Sequence, residues 1–299
     1  MSTLTRRAQL TGLAMAVTGS IAFSGKAIIV KLAYRYGVDA VTLIMYRMLF
    51  ALPFFLAMAW WASRGKAPLS RKDWLGVIGL GFCGYYLASF LDFLGLQHIS
   101  ASLERLILYL NPTIVLILGA LLFKKQITRT QAIAMALSYA GVLLVFGHEV
   151  SFEGKNVLLG TSLVFASAVS YAIYLVYSGE MVKRLGSLRL VGLATSVACL
   201  FCIAQFAVLM PLSAAAVSSE VIWLSILNAT LCTAVPVVLV MMAIERIGAS
   251  LAAQTGMIGP MSTIAMGVIF LGEKLNLWII GGTVLVLLGV YWVSRSKAA

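Results

Sequence analysis

The sequence predicts an all-α membrane protein: ten transmembrane helices in two inverted five-helix repeats, with both termini cytoplasmic. Three observations carry that prediction. Of 299 residues, 62% are apolar and only 11% charged, with a mean hydropathy of +1.01. A soluble domain keeps roughly a quarter of its residues charged so that water wets its surface. The apolar residues fall into ten runs, each close to the ~20 residues that cross ~30 Å of hydrocarbon. Finally, a shift of 148 positions lays the second half of the chain on the first.

The first run, 9–33, follows Arg6 and Arg7 as a signal peptide would, but it contains Lys26 and continues to about Ala33, the form of an uncleaved helix. Ala14, Thr18 and Ala22 form a row of small residues that leads to Lys26, a seam along which helices can approach closely. A charge inside a membrane is costly and is normally buried in protein or water. Lys26 is therefore a candidate to meet solute or a carboxylate, or to snorkel to the outer interface. The second helix, 39–62, carries Arg47 to a similar depth, where it can pair with helix-end carbonyls or with the other half, and also Pro53.

The third helix, 74–96, places Tyr85, Ser89 and Asp92 along one face, and the fourth, 101–122, places Arg105 and Tyr109 together ahead of Pro112. Asp92 and Arg105 lie equally deep on an antiparallel hairpin. This predicts an ion pair between them on the outer side, with Glu104 beside it. After a fifth helix, 130–147, the sixth, 157–178, repeats the small-residue row as Ser162, Ala166 and Ser170, ending at Tyr174, with Tyr171 and Tyr177 three residues to either side. The seventh, 190–211, holds Cys199 and Cys202, which read as small buried hydrophobes. The eighth, 221–243, brings Asn228 and Pro236, the ninth, 249–271, brings Gln254 and Pro260, and the tenth spans 276–294.

Orientation follows from charge. Fifteen of the 22 Lys and Arg residues, from Arg6 and Arg7 to Arg295 and Lys297, fall on the N-terminal side of the spans. The opposite side has Arg35, Lys155 and Lys274. Basic residues mark the cytoplasmic face. The repeat aligns Ile99-Ser100-Ala101-Ser102-Leu103 with Ile247-Gly248-Ala249-Ser250-Leu251, and the same register matches Pro112 to Pro260, Gly119 to Gly267 and Gly141 to Gly289. The halves are 1–150 and 151–299. Five spans in each turn the second copy upside down, with a pseudo-two-fold axis in the membrane plane and a substrate site where the repeats meet near mid-depth. Matched prolines predict matched bends in the fourth and ninth helices.

The formal charge of +12 suggests nucleic acid, but the basic residues sit in short clusters between apolar runs, and no contiguous basic face appears. No HExxH, GxSxG, P-loop or GxGxxG stands in a suitable context. The reading is therefore no catalytic residues, no metal, no cofactor and no nucleic acid. The partners are the lipid bilayer and a small-molecule solute, for a monomer or weak homo-oligomer. Tyr85, Ser89, Tyr109, Tyr174, Asn228 and Gln254 would suit a cavity for a small amphipathic solute, because rings supply area while hydroxyls and amides satisfy polar groups. Lys26, Arg47, Asp92 and Arg105 are the gate or structural ion-pair candidates.

These features resemble the drug/metabolite transporter superfamily, in particular ten-helix exporters with two EamA-type domains. The resemblance rests on Arg47 within Val41-Thr42-Leu43-Ile44-Met45-Tyr46-Arg47-Met48-Leu49, on the Ala-Ser-Leu…Pro…Gly run of each fourth helix, and on Gly141-Val142 and Gly289-Val290. It covers essentially the whole chain. The glutamate usual after the fourth helix stands as Glu273 in the second half, whereas the first half has Lys124-Lys125-Gln126. The resemblance implies alternating-access efflux of amino acids, aromatic ones included, or of similar metabolites across a bacterial inner membrane. It also places the fifth and tenth helices at the periphery or at a subunit contact. A nucleotide-sugar or sugar-phosphate exchanger of the same superfamily would want cavity-facing basic residues from both halves, and Lys26, Arg47 and Arg105 all come from the first. An integral membrane enzyme would want clustered His or carboxylates at one interface.

Overall fold

The computed structural model describes residues 3–124, 126–153, 156–247, 252, 255–256 and 258–295. In chain order the helices are α1 (Thr3–Tyr34), α2 (Ala40–Ser63), α3 (Arg71–Leu96), α4 (Ala101–Phe123), α5 (Arg129–Glu153), α6 (Asn156–Leu185), α7 (Ser187–Leu209), α8 (219–247), α9 (Ile258–Leu271) and α10 (Leu277–Arg295). Eight of them, α1 to α8, contain stretches long and apolar enough to cross a membrane; α9 and α10 are shorter apolar helices. Among the described residues there is no strand. In hydrocarbon the helix is the open-chain form that pairs every backbone N–H and C=O within itself.

Helix starts are set by side-chain caps. Asp39 accepts from the Thr42 backbone at 2.9 Å and opens α2, while Ser70 and Asp73 form a reciprocal capping box that opens α3. Ser100 accepts from Leu103 N at 3.0 Å and opens α4. Each cap satisfies donors that the first turn leaves unpaired. The fifth helix runs past its expected end at 147 to Glu153 and takes in His148.

Several irregularities recur at the sequence shift of 148, whereas a π-turn at Gly267–Leu271 in α9 meets regular helix at the matching place in α4. A π-helical turn interrupts α3 at Phe82–Leu87, and another interrupts α8 at Thr230–Ala234. Lys124 closes α4 in the left-handed region at φ 53°, and Gly272 closes α9 there at φ 72°. The α-helical run of α4 breaks at Tyr109 and Leu110 and resumes at Asn111, with Pro112 in its new first turn. Gly256 likewise forms a turn before α9 begins at Ile258, with Pro260 in its first turn. Proline is tolerated there because those N–H groups have no intrahelical partner. In α4 the expected bend is thus a clean break.

Helix packing follows the same exchange. α1 lies on α8 and α9, as α6 lies on α3 and α4; α2 lies on α8, as α7 lies on α3. The remaining large pairings are α2 with α7 and α5 with α10. Gly12 packs against Arg246 and Ile247 while Gly160 packs against His98 and Ile99, the residues 148 positions apart in each case. In the α5–α10 pair, a Cβ on Gly141 would fall 2.5 Å from the Gly282 carbonyl oxygen, and Gly289 backs onto Ala134 and Ser138. The close approaches do not follow the small-residue rows, however. Ala14, Thr18, Ser162 and Ala166 are exposed, and Gly12, Gly19 and Gly160 make the close approaches. Glycine wins because the limit is set by backbone meeting a neighbour.

Three apolar cores result, the smallest of them formed by Val77 and Leu80 of α3, Tyr174 and Leu185 of α6 and Leu190 of α7. Of the larger two, one joins residues of α1, α2, α3, α7 and α8 with Ala101 at the start of α4, and the second joins α4, α5, α6, α9 and α10, with Ile99 beside α4. Each draws on both halves of the chain.

Candidate functional site

Between the cores lies a group of buried charges. Lys26 Nζ on α1 stands 2.5 Å from Asp92 Oδ2 on α3 and 3.1 Å from Glu104 Oε1 on α4. The three residues are 6%, 2% and 0% exposed, so Lys26 does not snorkel. It ties three helices together. This corrects the expected Asp92–Arg105 pair: Asp92 takes Lys26, and Arg105 turns its Nη2 to Ser24 Oγ at 2.9 Å. The Ser24 hydroxyl lies 2.9 Å from the Gly259 carbonyl of α9. Gly259 must be small, since a Cβ there would meet the Tyr109 hydroxyl at 2.7 Å and the Arg105 guanidinium at 2.9 Å.

Tyr109, at the break in α4, donates its hydroxyl to the carbonyl of Gly256, at the turn before α9. Arg47 donates from Nε to Thr233 Oγ1 at 3.2 Å, and Thr233 in turn donates to the Asn228 carbonyl at 2.8 Å. The π-turn of α8 makes this possible by lifting Thr233 five residues beyond Asn228. Phe93 lies under the Arg47 guanidinium at 5.3 Å. Several buried atoms in this region have no hydrogen-bond partner: Arg47 Nη1, Asp92 Oδ1, Glu104 Oε2, Arg105 Nε and Asn228 Oδ1.

A second group is aromatic. The hydroxyls of Tyr85 on α3 and Tyr174 on α6 are 3.1 Å apart, their rings meet edge to face at 5.1 Å, and Tyr171 stacks on Tyr174 at 5.5 Å. Gly84 makes room for this, because a Cβ there would lie 2.5 Å from Tyr174 Cδ2 and 2.7 Å from its Cβ. Those atoms sit at the base of a buried ring and cannot swing aside. Gly84→Ala is expected to cost about 1–3 kcal/mol by overpacking. The thermal midpoint of the purified protein checks it, and an unchanged midpoint would show that α3 and α6 separate freely.

Of the sequence candidates, Tyr85 and Tyr174 come together, Tyr109 joins the charged group through Gly259, and Asn228 supports Arg47. Ser89 is half-buried on α3, without a hydrogen bond to the others. Gln254 lies outside the described residues. Ser24, Thr233 and Gly259 carried no sequence signal of their own.

The end of the bundle where α1 finishes, here called distal, holds a cavity of about 620 Å³ whose lining includes Lys31, Tyr34, Arg35, Asp39, Gln97 and Glu273. Glu273 reaches from the loop after α9 to the start of α4. It accepts from Ala101 N at 2.7 Å, Ser102 N at 3.3 Å and Ser102 Oγ at 2.6 Å. A carboxylate at a helix N-terminus meets unpaired donors and the positive end of the helix dipole. Arg35 adds a bond to the Leu271 carbonyl at 2.9 Å. Among the described residues, no three His, Cys, Asp or Glu side chains gather as metal ligands do.

Apolar helices of membrane-spanning length, packed around broken backbone and buried charges, define a multi-pass membrane transporter. The comparisons agree. The model of the EamA-like transporter family matches twice, over residues 10–147 and 158–295, so that the second match is displaced by the same 148 positions. The chain belongs to that family. It is 31% identical over 91% of its length to YcbK of Bacillus subtilis, covering 88% of that protein, and 27% identical over 58% to a protein of Archaeoglobus fulgidus, covering 59% of it. Both are named as uncharacterized transporters. A crystal structure with 18% identity matches 94% of this chain and 95% of its own at a TM-score of 0.62, a likeness of fold.

Proposed function

We propose that the protein exports amino acids, aromatic ones included, or similar small metabolites by alternating access through a central cavity between two inverted five-helix repeats, 1–150 and 151–299. The observation that carries this reading is the meeting of the two helix breaks. Tyr109 at the break of α4 bonds Gly256 at the turn before α9, each followed by a proline in the next first turn. Broken helices expose backbone polar groups, which a membrane tolerates only beside protein or a polar cavity. In transporters with inverted repeats such breaks sit at the solute site.

The repetition of π-turns, left-handed closures and close contacts at one shift supports the two repeats. Charge supports cytoplasmic termini in a bacterial inner membrane, with the distal end outside. A C-terminal reporter that fluoresces only in the cytoplasm should glow; a dark, exported reporter would reverse the orientation.

Counterflow in proteoliposomes with a panel of amino acids, sugar phosphates and organic cations tests the substrate. Exchange of amino acids is expected. Tyr109→Ala and Gln254→Ala should slow it without the loss of about 3–5 kcal/mol that follows truncation of a packed ring. Exchange of sugar phosphates alone would replace this reading with the exchanger. Normal transport with a much lower melting point would make these residues packing.

A further inference from the structure

The centre of the bundle holds more positive charge than negative. Lys26, Arg47 and Arg105 are buried there with Asp92 and Glu104, and Lys26 forms ion pairs with both acids. Among the described residues, Arg47 and Arg105 have no ion pair. Glu149 and Glu273 are held at the start of α4, on Ser100, Ala101 and Ser102. A buried charge is normally neutralised by a partner, because burial without one is costly. Three cations against two acids therefore leave a place for one anion.

Of the two unpaired arginines, Arg105 is the one beside the break of α4 and the start of α9. Its Nη2 donates to Ser24, and its Nε has no partner. The rings of Phe23 and Tyr109 lie 5.3 and 5.6 Å from its guanidinium carbon. A ring face attracts a cation but does not cancel its charge. Gly259, the second residue of α9, lies so close that a Cβ there would stand 2.9 Å from Arg105 Nη2. Arg105 thus rests against the positive end of α9, where a cation is unfavourable and an anion is favoured. Arg47 meets the π-turn of α8 and the Phe93 ring instead. Carboxylate is the anion that fits best, because its coplanar oxygens match the planar fork of a guanidinium. We propose that Arg105 binds the carboxylate of the transported solute, so that a free carboxylate is what the protein selects. The bound group joins α1 and α4 of the first half to α9 of the second. A neutral analogue leaves Arg105 without its counter-ion. The carboxylate site rests on geometry; assigning its occupant to transport rests on the reading above.

The test compares molecules that differ at that one group. Phenylalanine and hydrocinnamate carry the carboxylate, whereas phenylalaninamide keeps the ring and the amine without it. At constant ionic strength the thermal midpoint of the purified protein should rise with both carboxylates, and not with the amide, sodium chloride or sodium phosphate. The rise should vanish in Arg105→Gln. Where that variant melts too early to compare, the wild-type series decides by itself. In proteoliposomes that exchange an amino acid, its amide should compete about tenfold more weakly than the amino acid, the loss expected with a hydrogen bond to a charged group. No rise with either carboxylate, or an equal rise with the amide, overturns the proposal. So does a rise with chloride or phosphate that matches the carboxylates, which would make this a site for inorganic anions, or a carboxylate effect undiminished in Arg105→Gln. If no amino acid of the panel exchanges while hydrocinnamate still needs Arg105, the transport reading falls and the carboxylate site stands. Exchange in which the amide competes as well as the amino acid leaves transport standing and removes the site.

Discussion

Lys26→Met is expected to lower stability by about 3–5 kcal/mol, the cost of breaking a buried ion pair by removing one partner. Methionine nearly matches the lysine stem in volume, so the loss isolates charge from packing. Asp92 and Glu104 would remain buried without their cation, and α1, α3 and α4 would lose their common tie. The double variant Lys26→Met with Asp92→Asn should recover part of the loss, because a neutral amide replaces the stranded carboxylate. Chemical denaturation in detergent reads both effects. A Lys26→Met protein within 0.5 kcal/mol of wild type would show that the lysine is not what holds the two acids.

Glu273→Ala is expected to cost about 2–3 kcal/mol and to open the distal end. Its carboxylate accepts three hydrogen bonds from the start of α4, and bonds to a charged acceptor run at about 1.5–3 kcal/mol each without adding fully. A cysteine placed at Gln97, in the wall of the distal cavity, should react faster with a membrane-impermeant thiol reagent once Glu273 is gone. Glu273→Gln should fall between, keeping the reach and losing the charge. An unchanged labelling rate would mean that other contacts close this end. The corresponding position of the first half is Lys125, so the sequence supplies the carboxylate at one end and a cation at the other.

Much of this was legible from residue spacing. Helix boundaries came from hydropathy, and the register of 148 came from Pro, Ser and Gly. That register reappears in the π-turns, the left-handed closures and the glycine contacts. The pairing of Arg105 with Tyr109 also survived: both reach Gly259, because α4 is regular between them and residues four apart share a face. The row Tyr85, Ser89, Asp92 did not survive. The π-turn at Phe82–Leu87 adds a residue to a turn, and one residue is about 100° of rotation. Tyr85 therefore meets α6 while Asp92 meets α1. Nothing in the amino-acid pattern marks a π-turn, so spacing alone points Asp92 at Arg105 where the fold gives it Lys26. For the same reason Thr233, placed by the π-turn of α8, gave no sign that it would receive Arg47.

The α5–α10 contact has a mechanical consequence. Gly141 lies against the carbonyl of Gly282, and Gly289 against Ala134 and Ser138, so main chain rests on main chain with no long side chain between. A join of that kind has no rotamers to give way, and sliding along it drives backbone into backbone. One helix comes from each half of the chain, so this seam fixes the spacing of the two halves at backbone contact, and any side chain longer than hydrogen at Gly141, Gly282 or Gly289 has to push the two helices apart.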